Sequence, residues 1–320
     1  MPESLNYLKG REPLLDERIS ACQADDTGWR PADYAVTAIV SAYRAGAFME
    51  RCLSDLAAQS LGSGLEIVVV DAASPEGEGE IVRRFQESRG AIRYLRAPER
   101  ISIYAAWNLA IRRASGRHIL PFSTNDRLHP EACRALAGHL DRHPGVALVY
   151  GDTLLTDDPA DGFDDILAKP AFDMFKWPEY SYEDLLATNR VGPHPMWRRS
   201  VHAGIGWFHE RYTAMADQEF WLRLGRRFSL EHLPVVTGIY LREPRSLSSR
   251  PEAGQEAVRI RRQYRALAER DRQALAAVAA RAKVLAAAGR TAEALELARG
   301  EARPYAYLRE HALLLAELGA

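Results

Sequence analysis

Cysteine is scarce in this chain. Its three thiols, Cys22, Cys52 and Cys133, lie far apart with no Cys-x-x-Cys spacing, which excludes a disulfide framework and a zinc ribbon and points to a reducing compartment. No charge sign dominates either. Lys and Arg number 42 against 43 Asp and Glu, a net charge of −1, so nothing in the balance draws the chain to nucleic acid or anionic lipid. No stretch approaches the ~18 uninterrupted apolar residues of a membrane span. The opening MPESLNYLKGREPLLDERIS is charged from its start and lacks the apolar segment of a signal peptide. A cytoplasmic protein, at most peripheral at a membrane, is expected. A Gly-x-Gly-x-x-Gly turn after the first strand is also missing, which argues against a nicotinamide oxidoreductase.

What is present is a large apolar share, 47% of 320 residues, enough for about two domains with a sizeable core. Residues 1–33 are polar, close on the turn-rich DDTGWRPAD, and read as a leader that packs on the main domain. From Val36 the pattern alternates. The β-branched run VTAIVS is followed by Phe48, Cys52, Leu53 and Leu56 at helical spacing, and the same alternation recurs with strands at Ile67–Val70, Ile92–Leu95, His118–Phe122 and Val146–Tyr150. Strands buried on both faces and alternating with helices predict a mostly parallel sheet in a three-layer α/β domain over residues 34–250. A helix opening near Pro130 turns Cys133, Leu136, Ala137 and Leu140 inward. The acidic stretch from Gly151 to Trp177 reads as a loop or lid. A last helix at Phe220–Leu224 and a strand at Val235–Leu241 close the domain.

Residues 251–320 differ in composition, rich in Ala, Arg, Glu and Leu, and read as two or three antiparallel helices. Leu275, Val278, Ala282 and Leu285 share a face there, with Gly289 where a helix ends and Thr291 where the next begins. The segment is similar to a tetratricopeptide hairpin without its Trp and Gly-Tyr marks.

Ligands of an open parallel sheet bind beyond the carboxyl ends of its strands. That rule singles out Ser41 and Tyr43 after the first strand, Asp71 after the second, the run Ser123, Thr124, Asn125, Asp126 after the fourth, and Asp217 at a later helix. These residues sit in an ordered series of motifs. VTAIVSAYRAGAFMERCLSDLAAQSLGSGLEIVVVDAAS, ISIYAAWNLAIRRASGRHILPFSTND and ADQEFWLRL together resemble family 2 glycosyltransferases across about two thirds of the chain.

The resemblance implies the GT-A fold and a set of roles. Asp71 matches the acid that accepts the N3 hydrogen of uracil or thymine, and Ala72 replaces the acid beside it. Asp126 matches the last acid of the metal motif, holding Mn²⁺ or Mg²⁺ against the donor's diphosphate, while Ser123 and Asn125 stand where acids are common. Asn125 still offers a neutral oxygen. Asp217 matches the general base that deprotonates the acceptor hydroxyl, and the same position also reads as an N-cap. Ala216, in place of an acid, is expected to leave the pKa of Asp217 less raised. On the acceptor side, His194 is expected to touch acceptor or diphosphate and Trp197 and Trp221 to be core or sugar-stacking platforms, with Arg242 and Ser246 on the diphosphate side. The function implied is inverting transfer from a UDP- or dTDP-sugar to a hydroxyl of a glycan, lipid-linked or protein acceptor. Separately, the Leu and Ala stripes of residues 251–320 exceed what one short hairpin buries, so this tail is expected to serve a homodimer or acceptor docking. The alternative is a GT-A domain with a worn metal site, serving as a nucleotide- or partner-binding scaffold.

Overall fold

The structure, a computed structural model, describes residues 10–244 and 246–320. The first nine residues of the expected leader lie outside the described residues. The sheet begins with strands β1 (Gln23–Asp25), β2 (Val36–Ala42), β3 (Leu65–Asp71), β4 (Ile92–Arg96) and β5 (His118–Pro121). It continues with β6 (Arg127–Leu128), β7 (Val146–Thr156), β8 (Met174–Phe175), β9 (Met196–Arg198) and β10 (Ser229–Leu241). Spatial order is β1-β4-β3-β2-β5-β9-β7-β10-β6, with β8 paired to β7.

Strands β4, β3, β2 and β5 are parallel, as are β7 and β10, while β9 runs antiparallel between β5 and β7. The α/β arrangement expected from the sequence is present. Its cause is visible in β3, where every residue is buried. Leu65, Ile67 and Val69 join the core on one face and Val68 and Val70 the core on the other, the period-two alternation of a strand covered on both sides.

Helices α2 (Gly46–Ala57), α3 (Glu78–Ser88) and α5 (Ala132–Arg142) cover one face. The expected inward set of α5, Cys133, Leu136, Ala137 and Leu140, is buried there. The other face carries α1 (Glu12–Ser20) and α4 (Ile103–Arg113), joined by Leu15 and by the ion pair of Asp16 with Arg112. Short helices α6 (Phe163–Leu167), α7 (Tyr182–Ala187) and α8 (Val201–Ile205) fill the connections ahead of α9 (Ala216–Gly225).

Two sequence expectations change. Strand β7 does not stop at Tyr150 but runs to Thr156, and the acidic stretch after it forms β8 and α6 rather than a plain loop. The reason is pairing: β10 and β8 flank that extension, and Asp152 accepts from the Trp177 amide and the His232 imidazole, so its acidity is used inside the fold. The second change concerns β10, which starts at Ser229, ahead of the expected Val235, to match β7 along its length.

The C-terminal region is α10 (Pro251–Ala287), α11 (Thr291–Gly300) and α12 (Arg309–Glu317). Gly289 turns the chain out of α10 at a φ of +75°, a left-handed position that favours glycine. The first half of α10 lies in the core of the α/β half: Ile260, Tyr264, Leu267 and Ala268 belong to the same buried cluster as Phe208 and Phe220. A buried network completes the join. Glu219 accepts from the Tyr264 hydroxyl at 2.6 Å and from two guanidinium nitrogens of Arg223 at 3.1 and 2.8 Å. Glu256, near the start of α10, accepts the amides of Thr213, Ala214 and Met215 just ahead of α9.

Candidate functional site

The loops after β2 and β3 are bolted together at the sheet's carboxyl end. The amides of Arg44, Ala45 and Gly46 donate to Ser74 Oγ, Glu78 Oε1 and Glu76 Oε2 at 2.9, 2.7 and 3.1 Å. Ser41 is half-buried at the end of β2. Tyr43 follows, with the Arg100 guanidinium 4.4 Å and that of Arg44 5.7 Å from its ring centroid. Cationic groups over an aromatic face make this rim electropositive.

Asp71 is fully buried below the rim. One carboxylate oxygen accepts the Ser74 amide at 2.6 Å, and the other accepts the Tyr94 hydroxyl at 2.7 Å and the Arg96 guanidinium. This corrects the expectation of a free acceptor: the carboxylate is spent on protein donors, and the group it presents toward solvent is Arg96, 36% exposed. Burial and then the hydrogen bond to Asp71 push the Tyr94 hydroxyl up, against the opposing pull of Arg96, so it stays protonated as a donor.

Beyond β5, Asp126 is buried and its Oδ1 accepts the Leu241 amide at 3.1 Å. Among the described residues its Oδ2 has no hydrogen-bond partner, lying 3.4 Å from His194 Nε2, and neither ring nitrogen of His194 has one. Two buried polar side chains facing each other with orphaned atoms are costly unless something else is bound there. One carboxylate and one imidazole are an acceptable donor set for a divalent ion that takes its remaining ligands from water and a diphosphate. Among the described residues no third His, Cys, Asp or Glu forms a ligand group with this pair. Asn125 instead donates its amide to Glu243 Oε2 at 2.6 Å. Gly238 makes the arrangement possible: a Cβ there would sit 2.3 Å from the Arg127 carbonyl and 2.5 Å from His194 Cε1.

Asp217 lies on the first turn of α9, half-buried. Tyr104 OH donates to its Oδ1 at 3.2 Å and Asn189 Nδ2 to its Oδ2 at 3.4 Å. Burial raises its pKa to about 6, with these donors and nearby amides opposing the rise. Desolvation does the raising, and no neighbouring acid is among its causes, in keeping with Ala216 beside it. The capping reading is corrected: the N-cap is Met215, and Asp217 is the second residue of the helix. A carboxylate poised near neutrality, held by two side chains and only half-buried, is suited to take a proton.

Other expected residues fall elsewhere. Trp197, on β9, is wholly buried and donates its indole N–H to His202 Nε2 at 3.0 Å, while Trp221 is buried against it with ring centroids 5.3 Å apart. Both are core, not acceptor platforms, because β9 turns its side chains into the aromatic cluster around Phe208 and Phe220. His194 is equally buried, under the acidic motif rather than on an acceptor surface. Arg242 pairs with Asp157 and Asp173, so a diphosphate would compete with two carboxylates for it. Ser246 bonds the hydroxyls of Ser248 and Ser249. Sequence reasoning passed over Tyr104, Asn189, Arg96 and Glu243. Tyr104 lies within the motif that opens ISIYAAWNLA, but only the fold brings it and Asn189 to Asp217.

Residues 37–163 match the family model described as glycosyl transferase family 2. A PGL/p-HBAD biosynthesis glycosyltransferase of Mycobacterium bovis (strain BCG / Pasteur 1173P2) is 24% identical over 188 residues, 58% of this chain and 67% of the relative. Glycosyltransferase GlyA of Streptococcus pneumoniae serotype 4 is 28% identical over 104 residues, 32% of this chain but only 15% of that protein. Among solved structures, S. aureus TarS 1-349 in complex with UDP-GlcNAc superposes with a TM-score of 0.58 at 19% identity, covering 72% of this chain and 66% of that one. The chain spans 60% of another TarS 1-349 structure, at a TM-score of 0.53. With its motifs in family order, the segment 37–163 is similar to glycosyl transferase family 2, and the chain has the GT-A architecture.

Proposed function

We propose that this chain is an inverting glycosyltransferase that moves a sugar from a UDP- or dTDP-sugar to a hydroxyl group of a glycan, lipid-linked or protein acceptor. The observation that carries the reading is Asp217, a carboxylate raised to about 6 and steadied by Tyr104 and Asn189 at the cleft. The acceptor oxygen attacks the anomeric carbon as its proton passes to Asp217, and the bond from that carbon to the diphosphate oxygen breaks, the electron pair leaving with the nucleoside diphosphate. One displacement inverts the centre and needs one base.

The donor's base and phosphates lie, in this reading, across the rim of Ser41, Tyr43, Arg96 and Arg100, with Asp71 acting from below by fixing Arg96 and the Ser74 loop. The UDP and UDP-GlcNAc complexes of TarS are in keeping with a uridine donor. Asp126 and His194, with Asn125 beside them, would hold Mn²⁺ or Mg²⁺, which supplies Lewis-acid stabilisation of the departing diphosphate when bound. Arg242 and Ser246 remain on the diphosphate side by virtue of following Leu241, whose amide holds Asp126. The exposed apolar side chains of Val284 and Leu313 on α10 and α12 support pairing of two chains through the C-terminal helices.

The test is a panel of sugar nucleotides with and without Mn²⁺, read by thermal shift and by release of nucleoside diphosphate. UDP or dTDP compounds should raise the melting midpoint more than purine ones, and Asp71→Ala should abolish the gain. The engagement of Asn125 by Glu243 favours the scaffold alternative. Binding without any transfer or donor hydrolysis would select that reading.

A further inference from the structure

At the opposite end of the sheet from the cleft, helix α5 carries His139 in its last turn and is closed by His143 at its C-cap, four residues on. Glu231 faces them from the start of β10, ten residues and roughly 30 Å of strand before Leu241. One ligand atom from each of the three side chains lies within 4.8 Å of the other two. His139 Nε2 is 2.7 Å from Glu231 Oε2, and the two imidazoles lie 4.2 Å apart between centroids, tilted by 30°.

We propose that His139, His143 and Glu231 form a site for a divalent transition-metal ion, Zn²⁺ foremost, distinct from any ion in the cleft. Histidines at i and i+4 present both rings to one side of a helix, the spacing that a tetrahedral ion uses. Metal bonds of ~2.0–2.1 Å put tetrahedral ligand atoms roughly 3.4 Å apart, so closure from the observed spread asks only for a small rotation of His143, whose side chain is exposed.

The tautomer of His143 is already set. Its Nδ1 lies 2.8 Å from the His139 carbonyl, an acceptor only, so Nδ1 carries the hydrogen and Nε2 presents a bare lone pair. His139 gives up its hydrogen bond to Glu231 in exchange for the ion, which then bridges the two. The charge balance is acceptable: two neutral imidazoles and one carboxylate reduce a dication to +1, beside the negative end of the α5 dipole. Water takes the fourth position. Two nitrogens and one oxygen suit Zn²⁺, Co²⁺, Ni²⁺ or Cu²⁺ and disfavour Mg²⁺. Bound there, the ion ties the last turn of α5 to the first residues of β10.

The experiment uses the full chain, tag-free and stripped with a chelator, titrated with Zn²⁺ by calorimetry and with Co²⁺ by visible absorption. One equivalent should bind, with the Co²⁺ absorption bands of a four-coordinate site and a higher melting midpoint on Zn²⁺ addition. His143→Ala and Glu231→Gln should each weaken binding at least ~100-fold, more than loss of an outer-shell partner costs. His143 is exposed, so His143→Ala keeps the fold, which circular dichroism checks. Absence of Zn²⁺ binding to the wild type, unchanged affinity in both variants, or loss of binding only in His194→Ala would each overturn the proposal.

Discussion

Asp217 joins two physical demands that usually conflict, because a carboxylate must be desolvated to gain basicity yet stay reachable by the acceptor hydroxyl. Its raised pKa gives two predictions at the residue scale. Transfer should rise with pH along a limb near 6 as Asp217 deprotonates, and Tyr104→Phe, which removes a donor to the charged form, should move that limb upward. Asp217→Asn should lower transfer by at least ~100-fold while donor binding survives. The sign for stability follows from linkage: a carboxylate whose folded pKa lies above its unfolded value stabilises the fold below about pH 4, and that stabilisation is lost as pH rises through about 6. The Asn variant does not titrate, so its melting midpoint relative to wild type should climb across that window. A variant that loses stability but keeps its turnover per folded molecule would move the base to another acid.

Between elements, the critical approach is that of β6 and the His194 segment onto β10 at Gly238. No side chain fits there, since the nearest atoms to an added Cβ are a backbone carbonyl of β6 and the His194 ring. Gly238→Ala should cost about 1–3 kcal/mol by forcing the strands apart. It should also weaken donor binding more than the stability loss explains, because it shifts His194 away from Asp126. Chemical denaturation together with UDP titration separates these effects. A variant with wild-type donor affinity would show that the His194–Asp126 pair has no part in the donor site.

Over the whole molecule, the α/β half and the C-terminal helices share one core along α10. Deleting residues 251–320 would expose the Phe220 face of α9 and leave Glu219 and Arg223 without the Tyr264 hydroxyl, a buried charged network short of a partner. That truncation should abolish cooperative folding or sharply lower the melting midpoint. Removal of residues 290–320 should cost less, because α11 and α12 cover the second half of α10 through Ala282, Ala294 and Ala298, and the tie to the α/β half that is lost is Tyr307 against Tyr182 and Arg226. Light scattering on the shorter truncation then tests the dimer: unchanged mass would remove α11 and α12 from any self-association.

The parallel strands, the inward face of α5, the helix break at Gly289 and the acids at the strand ends were legible in the sequence. Each depends on the chain's local period or on residues adjacent along it, such as VVV before Asp71 or Gly289 before Thr291. Tertiary structure alone decided the rest. Whether Trp197 and Trp221 face a sugar or a core depends on which side of β9 and α9 meets Phe208, and no local period encodes that. The pairing of Asp126 with His194, of Asp217 with Tyr104 and Asn189, and of Asp71 with Arg96 joins residues 68, 113, 28 and 25 positions apart. Sequence supplied the acids; whether each stays a free acceptor, becomes a buried anchor or is tuned toward neutrality depends on desolvation and on partners that only the closed fold brings within reach.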